Sequence, residues 1–396
     1  MNPRGKQTWK LLLALMAALS LIAAACGGGS DAASDDGTAE DTATDAAATA
    51  EDDAVEDEDG AMEDDAMEED AMAMEADFNV GLTYDIGGRG DQSFNDSAAA
   101  GLDRAVSELG VTPSEAEPNA DGSNRAELLQ LQADQSTLVV AVGFLFAEDV
   151  KAVAPENPDV NFAVIDDAML DFDNGAAPWG DNIAGLTFAE EQGSFLVGAA
   201  AALKSESGTL GFIGGVGGFG LIEKFEAGFA AGARAVNPDI VIIPQYITMA
   251  PDFDGFFAAD RAQEIALAMY DQGADVIYHA AGGSGAGLFE AAKARSEESG
   301  TKVWAIGVDS DQYNTVDPSV QEYILTSMLK RVDNAVFEIT HAQANGEFVA
   351  GNTVYDLSSD GVGYSTSGGF VDDIVDQLED FKAQIVAGEI VVPTEP

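Results

Sequence analysis

The sequence predicts an α/β protein in which parallel, doubly wound sheets form two Rossmann-like lobes. Short apolar runs, typical of buried parallel strands, alternate about eight times with stretches of helical spacing. Polar residues or glycine-rich turns follow many of these runs, as expected where the carboxyl ends of strands form a ligand crevice. Because so many strands exceed one compact sheet, we expect two lobes.

The first run of elements begins near residue 77. Apolar residues indicate a strand over 78–84, and the spacing of Ala98, Leu102, Ala105 and Leu109 indicates a helix that stops at Gly110. The same alternation then predicts strands near 111 and over 137–142 and 160–165, with helices around 125–134 and up to 154.

The second run adds two glycine-rich turns, over 214–220 and 282–287, each placed between a strand and a helix. Its strands are predicted over 183–188, 209–213, 240–247, 276–279 and 303–308, and its helices over 191–203, 221–236, 261–272 and 288–295. A strand, a glycine-rich turn and a helix are the context of a dinucleotide-binding loop.

Gly215, Gly217 and Gly220 satisfy the G-x-G-x-x-G spacing, but glycines also serve tight turns and close packing. No acidic residue ends a strand about 20 residues further on, where a ribose contact belongs. No Lys-Ser/Thr pair follows either turn, so neither is a P-loop. We therefore expect no cofactor, and an enzyme with a Rossmann cofactor is the third-ranked alternative.

The composition excludes several classes of partner. Formal net charge is −54, with 17 basic and 71 acidic residues, which argues against nucleic acid or an anionic membrane surface as partner. Such a surface is compatible with a high-salt habitat. The single cysteine excludes an internal disulfide framework and a cysteine-based zinc cluster.

Residues 1–26 are predicted to be a targeting segment. Three basic residues precede an apolar run over 11–25, which is too short to be a confident membrane span. The run ends Leu21-Ile-Ala-Ala-Ala-Cys26 and resembles a bacterial lipobox, with Ala23 where a larger aliphatic residue is usual. We expect Cys26 to be lipidated; an ordinary signal peptide is the alternative.

Residues 27–76, acidic and free of Lys and Arg, are predicted to be a disordered linker.

Two carboxylates, Asp309 and Asp311, directly follow the strand predicted over 303–308. They place negative charge where a ligand crevice should lie, although either could instead cap the next helix. Other predicted strand ends also carry polar or aromatic groups: Asp91 to Asn95, Phe144, Asp166-Asp167, Phe219 and His279. Aromatic rings and carboxylates without a nucleophile–base pair or a metal cluster indicate a non-enzymatic site that holds a polar ring compound.

Seven collinear motifs resemble the BMP (basic membrane protein) family, substrate-binding lipoproteins of ABC transporters similar to the purine nucleoside receptor of spirochaetes. They are Asp91-Gln-Ser-Phe-Asn95, Ile165-Asp-Asp167, Phe225-Glu-Ala-Gly-Phe229, Tyr270 to Tyr278, Ala281 to Gly287, Gly307 to Gln312 and Leu325 to Arg331. The resemblance covers the chain from residue 77 to its end, although the charge departs from the word "basic".

This resemblance implies a type I periplasmic-binding-protein fold, with two lobes joined by three strands. The N-terminal lobe is expected to comprise 77–182 and 328–350, and the C-terminal lobe 183–327 and 351–396. The resemblance also implies that the protein binds a small-molecule ligand and has an ABC permease as partner. It further implies a monomer, anchored by a lipid on the extracytoplasmic face of the cell membrane.

In the family, a purine base is sandwiched between aromatic rings. Here Phe94 matches one ring, and Phe256, with Phe257 as fallback, matches the other. Asp166 or Asp167 matches the group that reads the base edge. Asp309 and Lys330 match the contacts to the ribose hydroxyls, unless Lys330 is a plain surface lysine. Asp91, Asn95 and Gly283 are expected to line the same site.

The resemblance predicts a receptor that binds a purine nucleoside and delivers it to an importer. A phosphate is disfavoured, because the candidate site is rich in Asp and poor in Arg. A sugar or another ribosylated ligand remains an alternative. A non-transport surface lipoprotein, for signalling or adhesion, is the other.

Overall fold

The computed structural model describes residues 78–396. The expected signal peptide, the lipidation site at Cys26 and the acidic linker lie outside the described residues. Over 78–396, no helix combines the length and apolar character that a membrane span requires.

The described chain alternates strands and helices, as predicted. The strands are β1 (Asn79–Thr83), β2 (Thr112–Ala116), β3 (Leu138–Ala141), β4 (Asn161–Ile165), β5 (Leu170–Asp171), β6 (Ala177–Pro178), β7 (Ile183–Phe188), β8 (Thr209–Gly217), β9 (Val241–Met249), β10 (Val276–Ala280), β11 (Trp304–Asp309), β12 (Ile324–Lys330), β13 (Gly351–Tyr355) and β14 (Val362–Tyr364). The helices are α1 (Phe94–Leu109), α2 (Arg125–Ala133), α3 (Ala147–Val153), α4 (Glu190–Lys204), α5 (Leu221–Val236), α6 (Ala259–Asp271), α7 (Gly285–Ser299), α8 (Gln312–Thr315), α9 (Pro318–Gln321), α10 (Val332–Ala344) and α11 (Val375–Val386).

Twelve of these strands form two six-stranded sheets, one in each lobe, and β5 and β6 form a small antiparallel pair. The first has the order β13-β7-β4-β3-β1-β2 and is parallel throughout. The second has the order β14-β12-β11-β10-β8-β9, and only the short edge strand β14 runs antiparallel. The central strands are buried over nearly their whole length, as apolar runs in a doubly wound sheet should be. The predicted α/β fold with two lobes is therefore confirmed.

The glycine-rich segment after residue 213 differs from its prediction as a turn. Gly214 to Gly217 continue strand β8, because aromatic rings lie directly on them. A Cβ atom at Gly214 would lie 2.5 Å from the Tyr246 ring, and one at Gly215 would lie 2.5 Å from the Phe256 ring. The glycines therefore serve close packing within a sheet, which leaves only 218–220 as the turn before α5.

The chain passes between the lobes at the ends of β7, β12 and β13. Strands β7 and β13 pair within the first sheet, whereas the sequence prediction began the second lobe at 183 and again at 351. Strand β12 pairs with β11 and β14 as far as Lys330, whereas the sequence prediction returned the chain to the first lobe at 328. Because a strand joins its neighbours over its whole length, each crossing falls after the strand. We propose lobe boundaries near 189, 331 and 356.

Candidate ligand-binding site

A cavity lies between the lobes, at the carboxyl ends of the strands. Seven of the residues predicted for the site line it: Asp91, Phe94, Asn95, Asp166, Phe256, Asp309 and Lys330. Residues from both lobes complete the lining: Asp85, Ile86, Gly143, Phe144, Leu221, Ile222, Phe225, Phe257, Ala280, Ala281, Gly282 and Val308. The cavity thus combines aromatic walls with several carboxylates and one ammonium group.

The carboxylate of Asp91 organises the loop that opens α1. Its oxygens accept hydrogen bonds from the backbone N–H groups of Ser93, Asn95 and Asp96 at 2.9 to 3.1 Å, and from Asn95 Nδ2 at 3.1 Å. These donors use most of the accepting capacity of one carboxylate. Asp91 therefore shapes the cavity wall as a helix cap, with little capacity left to accept from a ligand.

Aromatic rings approach the cavity from both lobes. Phe94 begins α1 in the first lobe, and Phe256 and Phe257 follow β9 in the second. The Phe256 ring rests on Gly215, and the Phe257 ring lies against Gly87 of the other lobe, where a Cβ atom would be only 1.6 Å from it. Phe256 is thus fixed within one lobe, whereas Phe257 contacts both.

Lys330 is buried, with only 2% of its side chain exposed, which excludes the plain surface lysine. Its Nζ lies 2.6 and 2.7 Å from the two oxygens of Asp166 and 3.3 Å from Glu190 Oε1. Burial alone would lower the pKa of Lys330, but the neighbouring carboxylates, with Asp166 and Glu190 foremost, raise it. The lysine is therefore an ammonium ion held at the cavity floor.

Asp309 ends strand β11 with a φ of +64°, in the left-handed region. Its Oδ2 accepts a hydrogen bond from the Ser93 hydroxyl of the other lobe at 2.5 Å. Within the described chain, its second oxygen has no hydrogen-bond partner and no lysine or arginine forms an ion pair with it. Burial raises the pKa of Asp309 to about 7, although Lys330 and the Ser93 hydrogen bond oppose that rise.

Asp85 is a second cavity carboxylate with one free oxygen, and the sequence reasoning missed it. Its Oδ1 accepts from the N–H of Ile86 at 2.7 Å, and the described residues offer no donor to Oδ2. Burial raises the pKa of Asp85 to about 7. Its position at the end of the first strand was the available signal. Glu190 and Phe225 were also missed as neighbours of the cavity, whereas Phe144, named at a predicted strand end, lines it.

The two lobes touch directly around the cavity. Gln312 Nε2 donates to the carbonyl of Gln92 at 3.0 Å, and Ser310 Oγ donates to the carbonyl of Ser93 at 2.9 Å. The rings of Phe144, which lines the cavity, and Phe219 of the second lobe stack with centroids 4.8 Å apart. The structure is therefore a closed form, in which contacts between the lobes surround the cavity.

Three predicted residues fall outside the lining. Asp167 accepts from the N–H of Met169 at 2.7 Å within a turn, so Asp166 is the carboxylate of this pair that faces the cavity. Gly283 opposes Asp91 across the cleft, where a Cβ atom would lie 3.6 Å from Asp91 Cβ. Asp311 precedes α8 but makes no capping hydrogen bond; it accepts instead from Asn314 and from Ser367.

The buried histidine is a packing residue. His279 Nε2 lies 2.9 Å from Gln312 Oε1, and burial lowers the pKa of His279 to about 4, so the ring is neutral. The cavity lining contains neither histidine nor cysteine. Residues 78–396 also contain no group of three His, Cys, Asp or Glu side chains arranged to hold a metal ion. The arrangement can bind a polar ring through aromatic faces, carboxylates and one ammonium.

Known proteins show clear sequence similarity to this chain. The chain is 36% identical over 339 residues to the CD4+ T-cell-stimulating antigen of Listeria innocua serovar 6a, covering 81% of this chain and 89% of that protein. It is 32% identical over 336 residues to the ABC transporter nucleoside-binding protein BmpA of Lactococcus lactis subsp. cremoris, covering 81% and 91%.

Among solved structures, an ABC transporter solute-binding protein from Aeropyrum pernix K1 superimposes with a TM-score of 0.66 at 28% identity, covering 80% of this chain and 94% of that one. The family model described as ABC transporter substrate-binding protein PnrA-like (Bmp) matches residues 78–395. The chain therefore belongs to the Bmp family of ABC transporter substrate-binding proteins.

Proposed function

We propose that this substrate-binding protein captures a purine nucleoside between its lobes and delivers it, unchanged, to an ABC permease. The observation that carries the proposal is a single cavity that combines Phe94 and Phe256 with a free oxygen on Asp309 beside the Lys330 ammonium. Aromatic rings suit a flat base, and carboxylate oxygens accept hydrogen bonds from ribose hydroxyls. The nucleoside-binding relative from Lactococcus lactis supports the same ligand class.

The charge of the cavity favours a nucleoside over a nucleotide. Four carboxylates line it, on Asp85, Asp91, Asp166 and Asp309, against the one ammonium of Lys330. That ammonium is already within 3.3 Å of two carboxylates, so a phosphate would meet uncompensated negative charge. A ligand rich in N–H and O–H donors fits this surface better.

We also propose that the protein acts as a monomer on the extracytoplasmic face of the cell membrane, anchored by a lipid on Cys26. The lipobox-like segment before Cys26 supports the anchor, and family membership supports the partnership with a permease.

A thermal-shift screen of the purified full chain tests the ligand class. Because stabilisation follows RT ln(1 + [L]/Kd), micromolar ligands raise the melting temperature at millimolar concentration. We expect inosine, guanosine or adenosine to give a shift, and hexoses and NAD to give none. The Phe94→Ala variant is the control for binding in the cleft and should lose the shift. A shift with a sugar and none with any nucleoside would contradict the proposed ligand.

A further inference from the structure

A second lysine lies behind Lys330, outside the cavity lining. Lys224, on α5, donates to the carbonyl of Phe188 at 2.8 Å and to Glu190 Oε2 at 2.5 Å. The other oxygen of Glu190 lies 3.3 Å from Lys330 Nζ. Glu190 therefore bridges two ammonium groups, one at the cavity floor and one behind it, and only 1% of its side chain is exposed.

These contacts form a chain of alternating charge, which we call the charge tetrad: Asp166, Lys330, Glu190 and Lys224. Buried charges are stable only when they are paired, and the tetrad pairs two carboxylates with two ammonium groups. Asp309 stands outside this pairing. The tetrad thus neutralises Lys330 from behind and leaves the carboxylate of Asp309 available to a ligand.

The tetrad also lies where the chain passes between the lobes. Glu190 comes two residues after the end of β7, and Lys330 is the last residue of β12. Asp166 follows β4 of the first lobe, whereas Lys224 belongs to the second. Two of the three crossing segments and both lobes therefore contribute to the position of one ammonium group.

We propose that Glu190, backed by Lys224, is a positioning residue that holds the Lys330 ammonium towards the ligand. The identity of the contacted group, a ribose oxygen, rests on the proposed nucleoside function; the positioning itself does not. If the tetrad only stabilised the crossing segments, disrupting it would weaken the binding of all ligands equally. If it positions Lys330, disrupting it would weaken the binding only of those ligands that contact Lys330.

The Glu190→Gln variant tests this role, because it removes the charge and keeps the size of the side chain. Lys224 and Lys330 would then face each other without the carboxylate between them, and the Lys330 ammonium should move. We expect the Kd for a purine nucleoside to rise about tenfold or more, while the Kd for the free base stays within about twofold. Calorimetric titration of inosine and hypoxanthine against the full chain measures both constants.

A second variant and a matched control separate charge balance from simple damage. Adding Lys224→Met to Glu190→Gln restores the balance around Asp166 and Lys330, so most of the lost nucleoside affinity should return. Glu191→Gln is the control, because Glu191 lies 3.8 Å from Lys224 Nζ and makes no ion pair with Lys330 among the described residues. Its nucleoside Kd should stay within about twofold of the wild-type value.

Equal weakening of base and nucleoside by Glu190→Gln, or no recovery in the double variant, would overturn the positioning role. A ligand-free crystal structure of Glu190→Gln gives a readout that needs no ligand. Displacement of Lys330 Nζ from Asp166 supports the inference, and an unmoved ammonium overturns it. If the wild-type chain binds no nucleoside, the proposed function fails, while this crystal structure still decides the positioning role.

Discussion

The hydroxyl of Ser93 donates to Asp309 Oδ2 at 2.5 Å, and this hydrogen bond joins the first lobe to the second. Asp309 also lines the cavity, and its other oxygen has no hydrogen-bond partner among the described residues. Asp309 can therefore accept from the opposite lobe and from a ligand at once. If Asp309 binds the ligand as proposed, this arrangement links lobe closure to ligand binding through one side chain.

Removing the Ser93 hydroxyl should loosen the closed form. Ser93→Ala deletes a hydrogen bond to a charged group, so we expect about three- to tenfold weaker nucleoside binding, mainly through faster dissociation. Stopped-flow displacement measures the dissociation rate. Ser97→Ala is the matched control, because the Ser97 hydroxyl accepts from the N–H of Asp333 within the first lobe. An unchanged dissociation rate in Ser93→Ala would show that the Ser93–Asp309 hydrogen bond does not stabilise the closed form.

Nucleoside binding should strengthen as pH rises through neutrality. Burial holds the pKa of Asp309 and of Asp85 at about 7, and hydrogen-bond donors of the ligand favour the ionised carboxylates. We therefore expect the Kd to be about tenfold higher at pH 5.5 than at pH 8. Titration calorimetry across this range measures the slope, and Asp309→Asn should reduce it. A pH-independent Kd would contradict donation to these two carboxylates.

The same pKa values predict that the stability of the ligand-free protein changes with pH in the opposite direction to ligand binding. Both folded-state values exceed the unfolded value of 3.8, so the folded form binds more protons between the two. These groups therefore make the ligand-free protein less stable as pH rises from about 4 to 7. The melting temperature without ligand should fall over this range relative to that of Asp309→Asn, while stabilisation by the nucleoside grows.

Cys26 should determine attachment to the membrane. It is the single cysteine and ends a run of small residues after an apolar segment, so Cys26→Ala should release the protein from the membrane. Detergent phase partition of cell fractions measures the release. Full retention of the variant in the detergent phase would contradict the lipoprotein assignment. Ala23→Leu, which brings the segment closer to the lipobox pattern, should leave the protein attached.

Strong local patterns made parts of the fold predictable. Helix α5 and strand β7 have the predicted bounds, because apolar periodicity and flanking glycine or polar residues define both. Strand β14 escaped prediction, since it has three residues and depends on pairing with the distant β12. The motif resemblance named seven of the nineteen residues that line the cavity. It could not show that Lys330 pairs with Asp166 rather than Asp309, because that choice depends on contacts between lobes.

Asp309→Ala should weaken the binding of nucleosides but not that of free bases. If the free oxygen of Asp309 accepts from the ribose hydroxyls, the substitution removes those bonds beside the buried Lys330. Hydrogen bonds to a charged group contribute roughly 1.5–3 kcal/mol each, and water entering the space recovers part of this. We expect a loss of about 2–4 kcal/mol, or roughly 30- to 1000-fold in Kd.

The comparison with free base decides what Asp309 does. Hypoxanthine or guanine has no ribose, so it should bind wild type and Asp309→Ala almost equally. Phe94→Ala should weaken base and nucleoside alike, because stacking acts on the ring that both share. Calorimetric titration of both ligands against both variants makes the measurement. Equal weakening of base and nucleoside by Asp309→Ala would mean that the residue acts through the Ser93 hydrogen bond and lobe closure, and the ribose contact would have to be assigned elsewhere.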